Sequence, residues 1–204
     1  MRRCGSGARE GGVDRDKDPR ARGEVEIPVR SRFNGCMESV LVSACLLGEA
    51  VRYNGGDMRC DHDILRQWQR EGRVVAVCPE VAGGLPVPRP RAEIAEGAGG
   101  LKVLAGIAKA VDSNGRDVSA YLISGAEQAL ELARARHIRI AVLKEGSPSC
   151  GTGFIFDGTF TDTRVKDRGV TATILQQAGV HVFSEAQLAE ADALLRKIET
   201  DNVA

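Results

Sequence analysis

Ser39-Val-Leu-Val-Ser-Ala44, with Cys45 directly after it, decides the fold. In an extended chain Leu41 lies on one face and Val40 and Val42 on the other, so neither face is suited to water. Such a run is a central strand of a parallel sheet, covered by helices on both sides. A second run of this kind is Ile138-Arg-Ile-Ala-Val-Leu143, and shorter ones are Arg73-Val-Val-Ala-Val77 and Val180 to Phe183. Between and after them lie helical patterns. One covers Asp63 to Glu71 and is closed by Gly72. The next begins at Asp117 or Ser119, either of which can cap it, and carries the apolar stripe Leu122, Ala126, Ala129, Leu130 and Ala133 to about Arg136. A third runs from Val170 to Gln177 and ends at Gly179, and a terminal helix is entered through the capping-box pair Ser184 and Gln187. A further strand is expected over Ile107 to Val111, ending in the turn Asp112-Ser-Asn-Gly115. Phe154-Ile-Phe156 and the Asp157-Gly158 turn predict a hairpin or an extended excursion packed over the site, and the Pro-rich Gly83 to Arg91 an ordered but irregular loop or a flexible one. This alternation predicts an α/β, Rossmann-like, doubly wound and mostly parallel sheet with flanking helices.

Residues 1–36 mix Gly, Arg and Asp without apolar periodicity and bury too little to offset the entropy of ordering, so they are expected to form a disordered tail. Met37 is then a candidate natural start, and residues 37–204 one α/β domain. Twenty-eight basic residues balance 28 acidic ones, leaving no excess charge to draw in nucleic acid or an anionic membrane. The N-terminus lacks the apolar segment of a secretory signal and no run approaches membrane-spanning length, so the expected compartment is the cytoplasm. In that reducing environment the six cysteines point to metal or thiol chemistry, not to disulfides. No Cys-x-x-Cys pair occurs, so any shared site must be assembled by the fold.

Cys45, Cys78 and Cys150 each stand in the loop at the carboxyl end of a predicted strand, the edge where open α/β sheets form their sites. Parallel strands bring such loops to one side. Three thiolates facing one point suit a 4Fe-4S cluster with one iron not ligated by protein. The bland alternative is three small buried hydrophobes, which is the commoner fate of an isolated cysteine. Cys60, in Gly55-Gly-Asp-Met-Arg-Cys60, is a chance thiol, a fourth ligand or a persulfide acceptor. Cys4 and Cys36 fall in the tail. His62, His137 and His181 are scattered and nominate no metal site.

Val40-Leu-Val-Ser-Ala-Cys-Leu-Leu-Gly48 with Val51-Arg-Tyr-Asn-Gly55, Val77-Cys-Pro-Glu-Val-Ala-Gly-Gly-Leu-Pro-Val-Pro-Arg89 with Ala92-Glu-Ile94, and Lys144-Glu-Gly-Ser-Pro-Ser-Cys-Gly151 resemble the TudS-type thiouracil desulfidase family. Asp157-Gly-Thr-Phe160 and Gly169-Val-Thr-Ala172 extend the likeness in order. The resemblance implies a 4Fe-4S cluster held by Cys45, Cys78 and Cys150, an open iron that takes a thiocarbonyl sulfur, and catalytic roles for Glu80 and Ser147. It also implies hydrolysis of a thiolated nucleobase or nucleotide, such as 4-thiouracil to uracil, with release of sulfide. Relatives that act on thiolated tRNA carry a second domain for which this chain has no room, so a small thiolated base or nucleotide is the expected partner.

Taken by their chemistry, Glu80 is placed two residues from Cys78 to serve as a general base, its alternative being a surface or capping glutamate. Ser147 can bond substrate or relay a proton, and Ser149 can bond substrate or a cluster sulfur; both also suit plain turn hydrogen bonds. Arg89 and Arg91, in the stiff Pro-rich loop, are candidates for a phosphate or base edge, or solvated loop charges. Two competing functions remain: a nucleotide-binding module with a structural metal site, and a thiol-based sulfur-transfer enzyme using Cys150 as nucleophile.

Overall fold

The computed structural model describes residues 37–202, so the expectations for residues 1–36, Cys4 and Cys36 lie outside the described residues. Four strands form the main sheet: β1 (Val40–Ser43), β2 (Val74–Val77), β5 (Ile140–Leu143) and β8 (His181–Ser184). All are parallel, in the order β2-β1-β5-β8. β1 pairs Val40 with Val74 on one side and with Ile140 on the other, so the two runs with apolar residues on both faces are the two central strands. Each residue of β5 and Val40 to Val42 of β1 is completely buried, and burying one Leu or Ile side chain contributes about 1.5–3 kcal/mol.

The period of two sends alternate residues to two different cores. Val40, Val42, Ile140 and Val142 pack against Leu65 and Trp68 of α1 (Asp63–Arg70) and against Leu188, Ala191 and Leu195 of α6 (Leu188–Asp201). Leu41, Ala141 and Leu143 face Ala129, Leu130 and Ala133 of α4 (Ser119–Ala135) and Ala172 and Leu175 of α5 (Val170–Gln177). Helices thus cover both faces. From β1 the chain moves outward to β2, and from β5 to β8 in the opposite direction, so the strand order reverses between β1 and β5. A crevice at the carboxyl ends follows from that reversal.

Two short helices and two antiparallel ribbons complete the fold. α2 (Pro79–Ala82) begins at the end of β2, with Cys78 as its N-cap and Pro79 in its first turn. β3 (Ala92–Ile94), α3 (Gly100–Leu104) and β4 (Ala110–Asp112) follow, and β3 pairs with β4. β6 (Ile155–Phe156) pairs with β7 (Arg164–Val165) after a turn longer than the expected Asp157-Gly158 hairpin. The strand expected over Ile107 to Val111 is displaced. Ile107 is exposed, and its N–H closes the end of α3 on the Lys102 carbonyl, so pairing starts only at Ala110. Of the two expected caps of α4, Asp117 accepts the N–H of Ser119, the first residue of the helix, while the Ser119 hydroxyl accepts the Ala110 N–H and ties α4 to β4. The Ser184–Gln187 capping box is present. His62 caps α1 through Nδ1, which accepts the Ile64 N–H.

α2 and α4 touch backbone to backbone, with no room for a side chain between them. A Cβ on Gly125 would lie 1.8 Å from the Pro79 carbonyl oxygen, and one on Gly83 would lie 2.0 Å from that of Tyr121. Among the described residues, no helix is long and apolar enough to cross a membrane.

Candidate active site

The carboxyl ends of β1, β2 and β5 open on one cavity of about 420 Å³, lined by Cys45, Cys78, Glu80, Arg89, Ser147 and Cys150 among others. Cys45 lies in the 3₁₀ turn Ala44–Leu47 that leaves β1, Cys78 caps α2 beyond β2, and Cys150 stands in the loop after β5. The three thiols share an environment that suppresses ionisation. Burial, and then the neighbouring Cys78, push Cys45 up to about 11. Burial raises Cys78 and holds Cys150 well above the ordinary thiol value, the latter against an opposing hydrogen bond from Ser43. Nucleophilic cysteines sit in the opposite surroundings. A cationic metal group can supply the charge that lets such thiols deprotonate.

Beside the cysteines runs a hydrogen-bonded chain. The N–H groups of Ser149 and Cys150 both donate to Ser147 Oγ at 3.1 Å, so the Ser147 proton is free to point away and is donated to Glu80 Oε1 at 3.0 Å. Glu80 Oε2 accepts from Arg89 Nε at 3.0 Å and Nη2 at 2.5 Å. The remaining Arg89 nitrogen donates to the carbonyls of Val51 and Pro86. All three guanidinium nitrogens are therefore engaged by the protein, and the side chain is only 5% exposed. In place of the free cation expected from the sequence, it clamps Glu80 and ties the Pro-rich loop to α2.

Arg91 is similarly engaged. It pairs with buried Glu93 at 2.8 Å and with Asp162 at 2.7 Å, and lies over the Phe156 ring at 4.4 Å. Through Phe154, Phe156 and Arg164 the β6–β7 ribbon forms one wall of the cavity. Ser149 is placed away from it: fully buried, its hydroxyl bonds Thr171 Oγ1 at 2.8 Å and joins this loop to the start of α5. Nor does Cys60 line the cavity; half-buried, it packs against the core on the α1/α6 side of the sheet.

Ser43 and Glu145 also line the cavity, although neither stands out in the sequence. Ser43 donates to the Cys150 sulfur. Glu145 accepts the N–H groups of Thr152, Gly153 and Phe154 and the Thr152 hydroxyl, folding the loop after β5 around one carboxylate. A lone Glu in a Gly-rich loop carries no signal of such a role. Burial alone would raise its pKa, but the Thr152 hydroxyl and the three N–H groups hold it below the ordinary 4.5. Its stabilisation is therefore full above pH 4.5 and is lost as pH falls through the lowered folded value. Glu145→Gln should cost about 1–3 kcal/mol at neutral pH, toward the lower end because the site is partly open to solvent. Denaturant midpoints of the two proteins should converge below pH 4.5, and a constant gap would contradict this.

Residues 40–187 match the model of the 2-thiouracil desulfurase family. The chain belongs to this family. Among its relatives is the uncharacterized protein YbbK of Bacillus subtilis (strain 168), 43% identical over 149 residues that cover 73% of this chain and 97% of that protein. A solved structure, that of the 4Fe-4S-dependent thiouracil desulfidase TudS, is 45% identical and superposes with a TM-score of 0.71 over 78% of this chain and 98% of the other. The part of this desulfurase-family chain that matches the family model contains all the cavity-lining cysteines and the Ser147–Glu80–Arg89 chain.

Proposed function

We propose that the protein is a 4Fe-4S-dependent desulfidase that hydrolyses the thiocarbonyl of a thiolated nucleobase or nucleotide and releases sulfide. The observation that carries this reading is the opening of three strand-end thiols and the Ser147–Glu80 pair on one cavity. Cys45, Cys78 and Cys150 would hold the cluster. The donor set fits by its chemistry: three thiols, soft ligands of the kind that hold iron-sulfur clusters, line one cavity, and Cys78 raises the Cys45 thiol as Cys45 and Cys78 raise that of Cys150. When bound, a cluster with one iron free of protein supplies a soft Lewis acid for the thiocarbonyl sulfur.

The chain's own groups do the rest. Glu80 takes a proton from a water whose oxygen bonds to the thiocarbonyl carbon, with the clamp of Arg89 fixing the direction of the carboxylate. The proton passes from Glu80 to the departing sulfur, while the Ser147 hydroxyl, held by two N–H donors and donating to Glu80 Oε1, steadies the carboxylate. The C–S bond breaks, and the products are a carbonyl and hydrogen sulfide, which balances thiocarbonyl plus water. A cavity of about 420 Å³ lies in the range of small-ligand sites and supports a free base or nucleotide over tRNA.

Anaerobically prepared protein should be brown, hold about four irons per chain, and release sulfide from 2-thiouracil or 4-thiouracil. A folded, iron-free protein, or an iron-loaded one that releases no sulfide from any thiolated base or nucleotide, overturns the reading.

A further inference from the structure

Ser43 is the last residue of β1, yet its hydroxyl reaches the loop after the neighbouring strand. Oγ donates to Cys150 Sγ at 3.6 Å and accepts the Lys144 N–H at 3.0 Å, and the residue is 2% exposed. A serine hydroxyl has one proton and two acceptor lone pairs. The Lys144 N–H can only donate, so it occupies the acceptor side. Among the described residues the proton has one partner, the Cys150 sulfur. One acceptor lone pair stays open, but a deprotonated Cys150 has no proton to give, so between hydroxyl and thiolate the Ser43 proton is donated to the sulfur.

A thiolate that ligates iron still accepts hydrogen bonds, and a bond of this kind draws charge off the sulfur. It favours the more negative, reduced cluster, and it orients the ligand. In a buried site such a charge-assisted bond is strong. We propose that Ser43 is a positioning residue for the cluster, its hydroxyl aiming the Cys150 thiolate and setting both the reduction equilibrium of the cluster and its resistance to loss. This rests on the reading of Cys150 as a ligand.

The test compares anaerobically reconstituted wild type, Ser43→Ala and Ser43→Thr by iron content, reduction midpoint and rate of bleaching in air. The Ala variant should take up a cluster whose reduction is disfavoured about tenfold, a shift of about 59 mV to lower potential for one electron. It should also bleach several-fold faster. The Thr variant, which keeps the hydroxyl, should keep the wild-type midpoint. An Ala variant with wild-type midpoint and bleaching rate overturns the inference while leaving the desulfidase reading intact. Should the Ala variant fail to fold, Ser43→Thr is compared with the near-isosteric Ser43→Val, which lacks the hydroxyl: a lower midpoint in the Val variant supports the role of the hydroxyl, and equal midpoints refute it. A wild type that takes up no 4Fe-4S cluster fails the parent reading, and the inference falls with it.

Discussion

Glu80→Gln should keep its iron and lose turnover by about 100- to 10,000-fold, the usual contribution of a positioned general base. The exchange preserves shape, and an amide oxygen can still accept from Ser147. What it removes is the ability to take a proton. Arg89→Ala should fall less far, because the carboxylate survives but loses the two bonds that aim it. Since the other Arg89 nitrogen is spent on Val51 and Pro86, the loss should appear in kcat with KM little changed. A substrate-binding arginine would show the reverse. Steady-state sulfide release by iron-loaded proteins measures both variants, and a Glu80→Gln protein that turns over like wild type removes the carboxylate from the mechanism.

Gly125→Ala acts on the same carboxylate from outside the cavity. Its methyl group would lie 1.8 Å from the Pro79 carbonyl oxygen, so α2 must shift away from α4. Overpacking of this kind costs about 1–3 kcal/mol. The shift also carries Glu80, one residue from Pro79, and a displacement of about 1 Å at a catalytic group can cost about 100-fold in rate. Thermal unfolding and sulfide release should fall together. A variant with wild-type stability and rate would mean that this contact does not set the position of α2.

The sheet was legible because its strands announce themselves: Val40 to Val42 and Ile140 to Leu143 are apolar on both faces, which only a central parallel strand tolerates. The gathering of Cys45, Cys78 and Cys150 followed from strand direction alone. The β3–β4 ribbon was not legible, because Ala92 to Ile94 has no alternation to separate it from the loop before it, and the exposed Ile107 lent the neighbouring segment a false apolar run. Side-chain partnerships across the fold were equally hidden. Arg89 looked free in the sequence because Glu80 and the Val51 carbonyl reach it only in three dimensions. Ser149 stands next to a cysteine but turns to Thr171, a partner supplied by a helix after the intervening ribbon. Gly125 reads as an ordinary weak point in a helix until α2 is laid across it.

The strand order β2-β1-β5-β8 also sets a schedule for maturation. Each of the three thiols belongs to a different crossover unit, and the last, Cys150, lies beyond β5, which must slide in beside β1 before the trio exists. A nascent chain on the ribosome offers an iron donor isolated cysteines, none of which can grip a cube. In a zinc finger the metal drives the fold; if Cys45, Cys78 and Cys150 hold a cluster, β5 must pair with β1 before the three are gathered, so cluster insertion would follow the pairing of these strands.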